Sequence, residues 1–148
     1  MCSKQVNINI QVPEGTSNVR AIKFDFCDLF AVVMPQFGVF GVTHLASGCS
    51  LILGLEREKN AEEHLLKLHK ASIEAAIPSN ADTDTFKELA KKAGKLKALN
   101  NMSISEYCSV YRNRFYGNEF PWEFGNECPH TRVNKLIREF TVREKQCA

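Results

Sequence analysis

Cysteine and histidine side chains lie close in sequence at two places, a pattern that could support nucleophilic catalysis. Cys49 follows His44 by five residues, and Cys128 precedes His130 by two residues at the predicted start of a helix. A helix N-terminus lowers the pKa of a thiol, and an imidazole can serve as its base. A thiol at a turn is more often a small filler, however, and neither segment carries a family signature. A Cys–His hydrolase or transferase is therefore the third function hypothesis.

Metal ligation is not predicted. A structural zinc site needs paired ligands at short spacing, and only Cys128 and His130 approach that arrangement. His64 and His69 are five residues apart on one predicted helix, which separates them around its axis and places them at the surface. There is also no glycine-rich phosphate loop. We therefore predict no metal, no cofactor and no enzymatic activity.

Arginine and aromatic residues gather around an aromatic loop at residues 118–128, behind a predicted helix. These residue types are enriched in the cores of protein interfaces. The first hypothesis is therefore a non-enzymatic macromolecule-binding protein whose partner is another protein. The alternative, that these aromatic side chains cover the open face of a sheet, stays open. The residues predicted to bind the partner are Arg112, Arg114, Tyr116, Phe120 and Trp122.

Two helix faces are rich in lysine and arginine, at residues 87–97 and 132–143. Basic side chains can contact phosphates while aromatic side chains stack on bases, as in single-strand binding. Nucleic-acid binding is therefore the second hypothesis, although three glutamates in the aromatic loop would repel phosphates. The residues that would bind nucleic acid are Lys87, Lys91, Lys95, Arg132, Lys135 and Arg138.

Composition is that of an ordinary globular domain. The chain has 148 residues, of which 44% are hydrophobic and 24% are charged, and its net charge is +2. That charge is too small to indicate a nucleic-acid or membrane partner by itself. The N-terminus has no apolar stretch of signal-peptide length, and no run approaches the roughly 20 apolar residues of a membrane span. We predict a cytoplasmic protein with reduced cysteines and no membrane association.

The first third of the chain has the pattern of β-strands. Apolar and polar residues alternate over residues 6–12, which predicts a strand with one apolar face. Turn signals at residues 13–18, 35–38 and 47–48 separate it from further apolar runs. These connections are too short for crossover helices, so the pattern predicts an antiparallel meander of about five strands.

From residue 60 the period of apolar residues becomes helical. Asn60 and Glu63 have the spacing of a capping box at the start of the first helix, which Pro78 would end. The second helix is predicted to continue through Gly94 into Lys95, with Lys87, Lys91 and Lys95 on one solvated face. A helix-turn-helix motif is disfavoured on this interpretation.

Two further helices follow. Ser103 and Glu106 form another capping box, and Pro129 is suited to the first turn of the last helix. On that last helix, Val133 and Phe140 are expected to face inward and the basic side chains outward.

One stretch has a likeness to known proteins. Residues 37–51 contain an aromatic strand, the Thr43–His44 pair, the Ser47–Gly48 turn and an apolar strand that leads to a helix. With the helix, residues 37–70 resemble a hairpin in small, uncharacterised bacteriophage and mobile-element proteins. The resemblance implies a β-meander followed by a helix and a phage or bacterial setting. Small phage proteins of this kind often bind a host or phage macromolecule, so the first hypothesis becomes a phage-encoded inhibitor or adaptor that acts on a host or phage protein. The resemblance implies no catalytic residue.

These patterns together predict an α+β fold. The antiparallel β-meander of about five strands is followed by about four α-helices packed on one face of the sheet, with the other face wetter. We predict one domain over residues 1–148, β-rich at 1–58 and α-rich at 60–145. Residues 78–84 form a possible internal linker.

Overall fold

The computed structural model describes residues 3–12, 14–36, 39–55, 58–111 and 129–147, and it confirms the α+β prediction. In these residues, five strands are followed by four helices and one 3₁₀ turn. The strands are β1 (Ser3–Val12), β2 (Gly15–Phe24), β3 (Phe30–Gln36), β4 (Val39–His44) and β5 (Ser50–Leu55). The helices are α1 (Glu58–Glu74), α2 (Thr83–Ala93), α3 (Ile104–Tyr111) and α4 (Pro129–Cys147), with the 3₁₀ turn at Lys97–Leu99.

The strands form one antiparallel sheet in sequence order, β1-β2-β3-β4-β5. This confirms the meander predicted from the short connections. The first hairpin pairs Val12 with Gly15, so β2 begins earlier than a turn over residues 13–18 would allow.

The sheet curls until the end of β1 reaches the turn between β4 and β5. There the Gln11 amide donates a hydrogen bond to the Gly48 carbonyl at 2.9 Å. Gly48 has a φ of +71°, and a Cβ at this position would lie 2.7 Å from the Asn9 carbonyl oxygen. Only glycine combines this backbone conformation with so close an approach.

Apolar side chains are buried on both faces of the curled sheet. One face, which includes Phe30, Val42 and Ile52, packs against the helices. The other face has a smaller cluster of Ile10, Ala21, Ala31 and Val33, to which Leu45 adds. This face is the less buried of the two, as predicted, and its cluster forms where the curl brings the first hairpin across it.

Helix α1 is the central helix of the fold and packs against β3, β4, β5 and α4. It begins at Glu58, so the capping box predicted at Asn60 is wrong, and it ends at Glu74 before Pro78. Its buried residues include polar ones, namely Asn60, Glu62, Glu63, His64 and Ser72. The helix is buried almost all round because it lies between the sheet and other helices.

Helix α2 ends at Ala93, and Gly94 follows it with a φ of +65°. The prediction that this helix continues into Lys95 was wrong, because Gly94 adopts a non-helical backbone with φ +65° and ψ −136° that glycine reaches without a steric penalty. The capping box at α3 is confirmed. The Glu106 amide donates to Ser103 Oγ at 3.1 Å, and the Ser103 amide donates to Glu106 Oε1 at 3.2 Å.

Helix α4 begins at Pro129, as predicted, and buries Val133 and Phe140. Within the described residues, no helix is long and apolar enough to cross a lipid bilayer.

Candidate binding cleft

A cleft of about 580 Å³ lies between α2 and α3, with Leu51 of β5 also lining it. The other lining residues lie on α2, on α3 and at the residue just before α3: Phe86, Lys87, Ala90, Lys91, Ser103, Ile104, Ser105, Cys108 and Ser109. We call this feature the α2–α3 cleft.

Helical periodicity explains which side chains of α2 line the cleft. Phe86 and Ala90 are four residues apart, as are Lys87 and Lys91, so each pair stacks on the same side of the helix. Phe86 is buried and belongs to the main core, which fixes this wall to the rest of the molecule. Small side chains, including Ala90, leave the space between the two helices open.

The charged groups that line the cleft carry one sign. Lys87 and Lys91 are both exposed, and neither forms an ion pair with any residue that the structure describes. The α3 wall contributes the hydroxyl groups of Ser103, Ser105 and Ser109. The α2–α3 cleft is therefore apolar inside and positively charged along one side.

A buried histidine supports the Phe86 wall. The His44 ring is 2% exposed and stacks on Phe86 with 4.9 Å between ring centroids. Its Nε2 lies 3.1 Å from the Ala81 carbonyl oxygen, which can only accept, so Nε2 carries the proton. Nδ1 then accepts from Ser47 Oγ at 2.9 Å. Burial lowers the pKa of His44, although the Ala81 carbonyl and Asp82 act in the opposite direction.

These bonds direct His44 toward Ser47 and not toward the Cys49 thiol. Ser47 Oγ also accepts a hydrogen bond from the Cys49 amide at 3.1 Å, while the Cys49 side chain is exposed. Burial raises the pKa of the Cys27 thiol to about 11, which keeps it protonated. Cys128 lies outside the described side chains. His44 therefore bonds to Ser47 and Ala81 and does not pair with the Cys49 thiol.

The interface between α1 and α4 holds a second group of charges, all paired with one another. Arg132 Nε lies 3.0 Å from both carboxylate oxygens of Glu63, and Lys67 Nζ lies 3.1 Å from Oε1. Lys70 and Glu139 form another ion pair at 3.0 Å. The prediction that Arg132 faces solvent was wrong, because Glu63 is only 5% exposed and needs a compensating charge.

The histidines of α1 also differ from their predicted surface position. His64 is buried, and its Nδ1 lies 2.6 Å from Tyr107 Oη, within hydrogen-bonding distance. His69 packs against the rings of Phe26 and Phe140. His64 is buried and His69 is half-buried because α1 is enclosed by other elements. No cluster of three or more metal-ligating side chains occurs within the described part of the chain.

The remaining predicted site residues are distributed as follows. Lys135 and Arg138 are exposed on α4, as expected, whereas Lys95 follows Gly94 and lies near the start of α3. Hydrogen bonding to Ser103 lowers the pKa of Glu106, and the charge of Lys95 acts in the same direction. The five residues predicted to bind a protein partner lie outside the described residues: Arg112, Arg114, Tyr116, Phe120 and Trp122.

Sequence reasoning missed the α2–α3 cleft itself. Phe86 and Ala90 are recognisable from their spacing as the apolar stripe of α2, and Ile104 and Cys108 as that of α3. Periodicity identifies the apolar stripe of each helix, but it does not show that two stripes meet with a gap between them. The small residues Ser105 and Ser109 were the available signal.

No protein-family model, no curated protein and no solved structure matches this chain.

Proposed function

We propose that this chain is a non-enzymatic protein-binding protein that holds a segment of its partner in the α2–α3 cleft. The observation that carries the proposal is an apolar, lysine-flanked space of about 580 Å³ between two helices. Binding sites of roughly 300–1,000 Å³ with apolar linings and a few polar groups are typical of proteins. Grooves between helices are a recurrent way to bind amphipathic protein segments.

A protein segment is favoured over a small molecule because the cleft lies between two neighbouring helices, the setting in which amphipathic segments are bound. The setting we propose is a phage or bacterial cell, in which the chain acts as an inhibitor or adaptor.

Site-specific photo-crosslinking tests the proposal. A benzophenone amino acid placed at Ser105, which lines the cleft, should crosslink a discrete protein in bacterial cells that make the chain. The same group at Lys92, which is exposed on α2 but does not line the cleft, should not crosslink that protein.

A cleft-filling variant provides the matched control. Ala90→Trp should abolish the crosslink from Ser105, whereas Lys92→Trp on the same helix should leave it intact. Equal crosslinking from Ser105 and Lys92, or a Ser105 crosslink that survives Ala90→Trp, would contradict the proposal. Circular dichroism melts of both tryptophan variants confirm that each is folded.

Nucleic-acid binding is a second candidate, favoured because four of the basic residues predicted to contact phosphates are exposed on α2 and α4. These are Lys87, Lys91, Lys135 and Arg138. The two helices pack against different neighbours, α2 against α3 and α4 against α1, which weakens the case for one continuous basic surface. This candidate predicts affinity for single-stranded DNA or RNA that falls steeply with salt. A flat salt response, or no binding at low salt, would eliminate it.

A further inference from the structure

We infer that the segment held in the α2–α3 cleft is a short amphipathic helix whose flank carries carboxylates. This inference rests on the proposed function and specifies the chemistry of the partner. It follows from the length of the cleft, the size of its lining side chains and the sign of its charges.

The length of the cleft sets the length of the occupant. The lining extends over residues 86–91 of α2 and over residues 103–109 beside it. At 1.5 Å per residue, these walls are about 8–10 Å long, or roughly two helical turns. A partner helix of two to three turns therefore covers the cleft and presents apolar side chains at positions i, i+3 or i+4, and i+7.

The side chains of the walls determine which anchors fit. Ala90, Ser105, Cys108 and Ser109 are all small, and Leu51 and Phe86 supply apolar surface. Because these side chains are small and leave space between the helices, the partner must fill it with large side chains. Large aliphatic or aromatic side chains inserted between small ones give the knobs-into-holes contacts that hold helices together. This argues against a polar or glycine-rich segment.

The lysines determine the charge of the partner. Lys87 and Lys91 are one helical turn apart on the same wall, and no carboxylate is among the lining residues. Carboxylates one turn apart on an incoming helix would face them in register, whereas lysines or arginines would be repelled. Complementary charges of this kind govern association rate and specificity more than total affinity.

The charges of Lys87 and Lys91 are accessible to a partner because no described residue of this chain pairs with them. Lys67, Lys70 and Arg132 each pair with a glutamate of this chain, but Lys87 and Lys91 pair with no described residue. Charge complementarity at the cleft therefore selects an acidic occupant over a basic one.

Fluorescence anisotropy with designed peptides tests this inference on the full-length chain. The probe is a labelled peptide of about 14 residues, long enough to form helix when bound, with leucines at i, i+4 and i+7 and glutamates on the flank. A second peptide carries lysine at every glutamate position, and a third scrambles the acidic peptide. We expect the acidic peptide to bind and the other two to bind at least tenfold more weakly.

Charge reversal in the protein provides the decisive comparison. Lys87→Glu with Lys91→Glu should weaken the acidic peptide about tenfold, as expected for two exposed ion pairs replaced by repulsion. The same variant should strengthen binding of the lysine peptide. Lys92→Glu with Lys135→Glu changes net charge equally at exposed positions outside the cleft, and should change neither affinity by more than about twofold.

Several results would overturn the inference. Equal binding of the acidic and lysine peptides, equal binding of the scrambled peptide, no binding of any peptide, or equal effects of the two double variants would each do so. The proposed function fails separately, through the Ser105 crosslink. A cleft-dependent protein crosslink without a charge preference would keep the function and reject the acidic helix.

Discussion

The α2–α3 cleft and the α1–α4 interface both contain basic side chains on helices, but only in the interface do carboxylates of the chain pair with them. In the α1–α4 interface, Glu63 forms ion pairs with Arg132 and Lys67, and the two helices pack together around these pairs. In the cleft, Lys87 and Lys91 flank an apolar space and pair with no described residue. A basic side chain on a helix is therefore structural in one region and available for binding in the other.

The difference follows from the burial of α1. A carboxylate as buried as that of Glu63 needs an opposite charge within the protein, since an unpaired buried charge is strongly destabilising. Helix α2 buries only Phe86 fully, so its lysines can stay in water without partners. The two regions thus differ in whether a buried carboxylate is present for the basic side chains to neutralise.

The largest expected effect comes from removing the buried carboxylate. Glu63→Gln keeps the shape of the side chain but leaves Arg132 without its charged partner, and should lower the free energy of unfolding by about 3 kcal/mol. Chemical denaturation measures this value. Lys87→Gln in the cleft is the control and should change stability by less than about 0.5 kcal/mol. Similar losses of stability in the two variants would contradict the difference between the interface and the cleft.

The buried bond between His64 and Tyr107 should have the next largest effect. Tyr107→Phe removes the hydroxyl 2.6 Å from His64 Nδ1 and should cost about 1–2 kcal/mol, because a buried polar group loses a bonding partner. Denaturation of this variant is compared with Ser105→Ala, which removes an exposed hydroxyl on the same helix. A cost no larger than that of Ser105→Ala would show that the His64 bond contributes nothing measurable.

The wall of the cleft should be sensitive to acid through His44. Burial lowers the pKa of this residue below its ordinary value of 6.5, so the unfolded chain takes up the proton more readily. The contribution of neutral His44 to stability is therefore present above about pH 6.5 and is lost as pH falls below it. Urea denaturation between pH 8 and pH 5 should show a steeper loss in wild type than in His44→Gln. Parallel pH dependences would contradict this account.

The smallest expected effect is at the edge of the α1–α4 interface. Lys70 and Glu139 form an ion pair in which both side chains are about one-third exposed, at 37% and 34%. Glu139→Gln should change stability by about 0.5 kcal/mol or less, and the change should disappear at high salt. A loss of stability close to that of Glu63→Gln would mean that the Lys70–Glu139 pair contributes as much as the pairing of the buried Glu63.

The elements of this fold were largely predictable, whereas the roles of its charged residues were not. The five strands followed from alternation and turn residues, and the start of α3 from the Ser103–Glu106 pair. The end of α2 at Gly94 was missed because a glycine inside a helical pattern and a glycine at a helix end look alike in sequence. Local pattern determines the type of an element more firmly than its boundary.

The candidate site depended on contacts between residues that are distant in sequence. Arg132 is 69 residues from Glu63, and nothing near Arg132 indicates that it turns inward. The stripe on α2 and the stripe on α3 were both visible, but the space between them depends on how the helices pack. Periodicity describes one helix at a time, so neither the paired interface nor the cleft could be derived from it.

The central claim is that the α2–α3 cleft is the open binding surface and the α1–α4 interface is closed. It is tested most directly by titrating the isotope-labelled chain with the acidic amphipathic peptide while recording amide chemical shifts by NMR. The account predicts that the shifts change over residues 86–91 and 103–109 while the amides of α4 stay unchanged. Changes concentrated on α4, or no changes at saturating peptide, would contradict it.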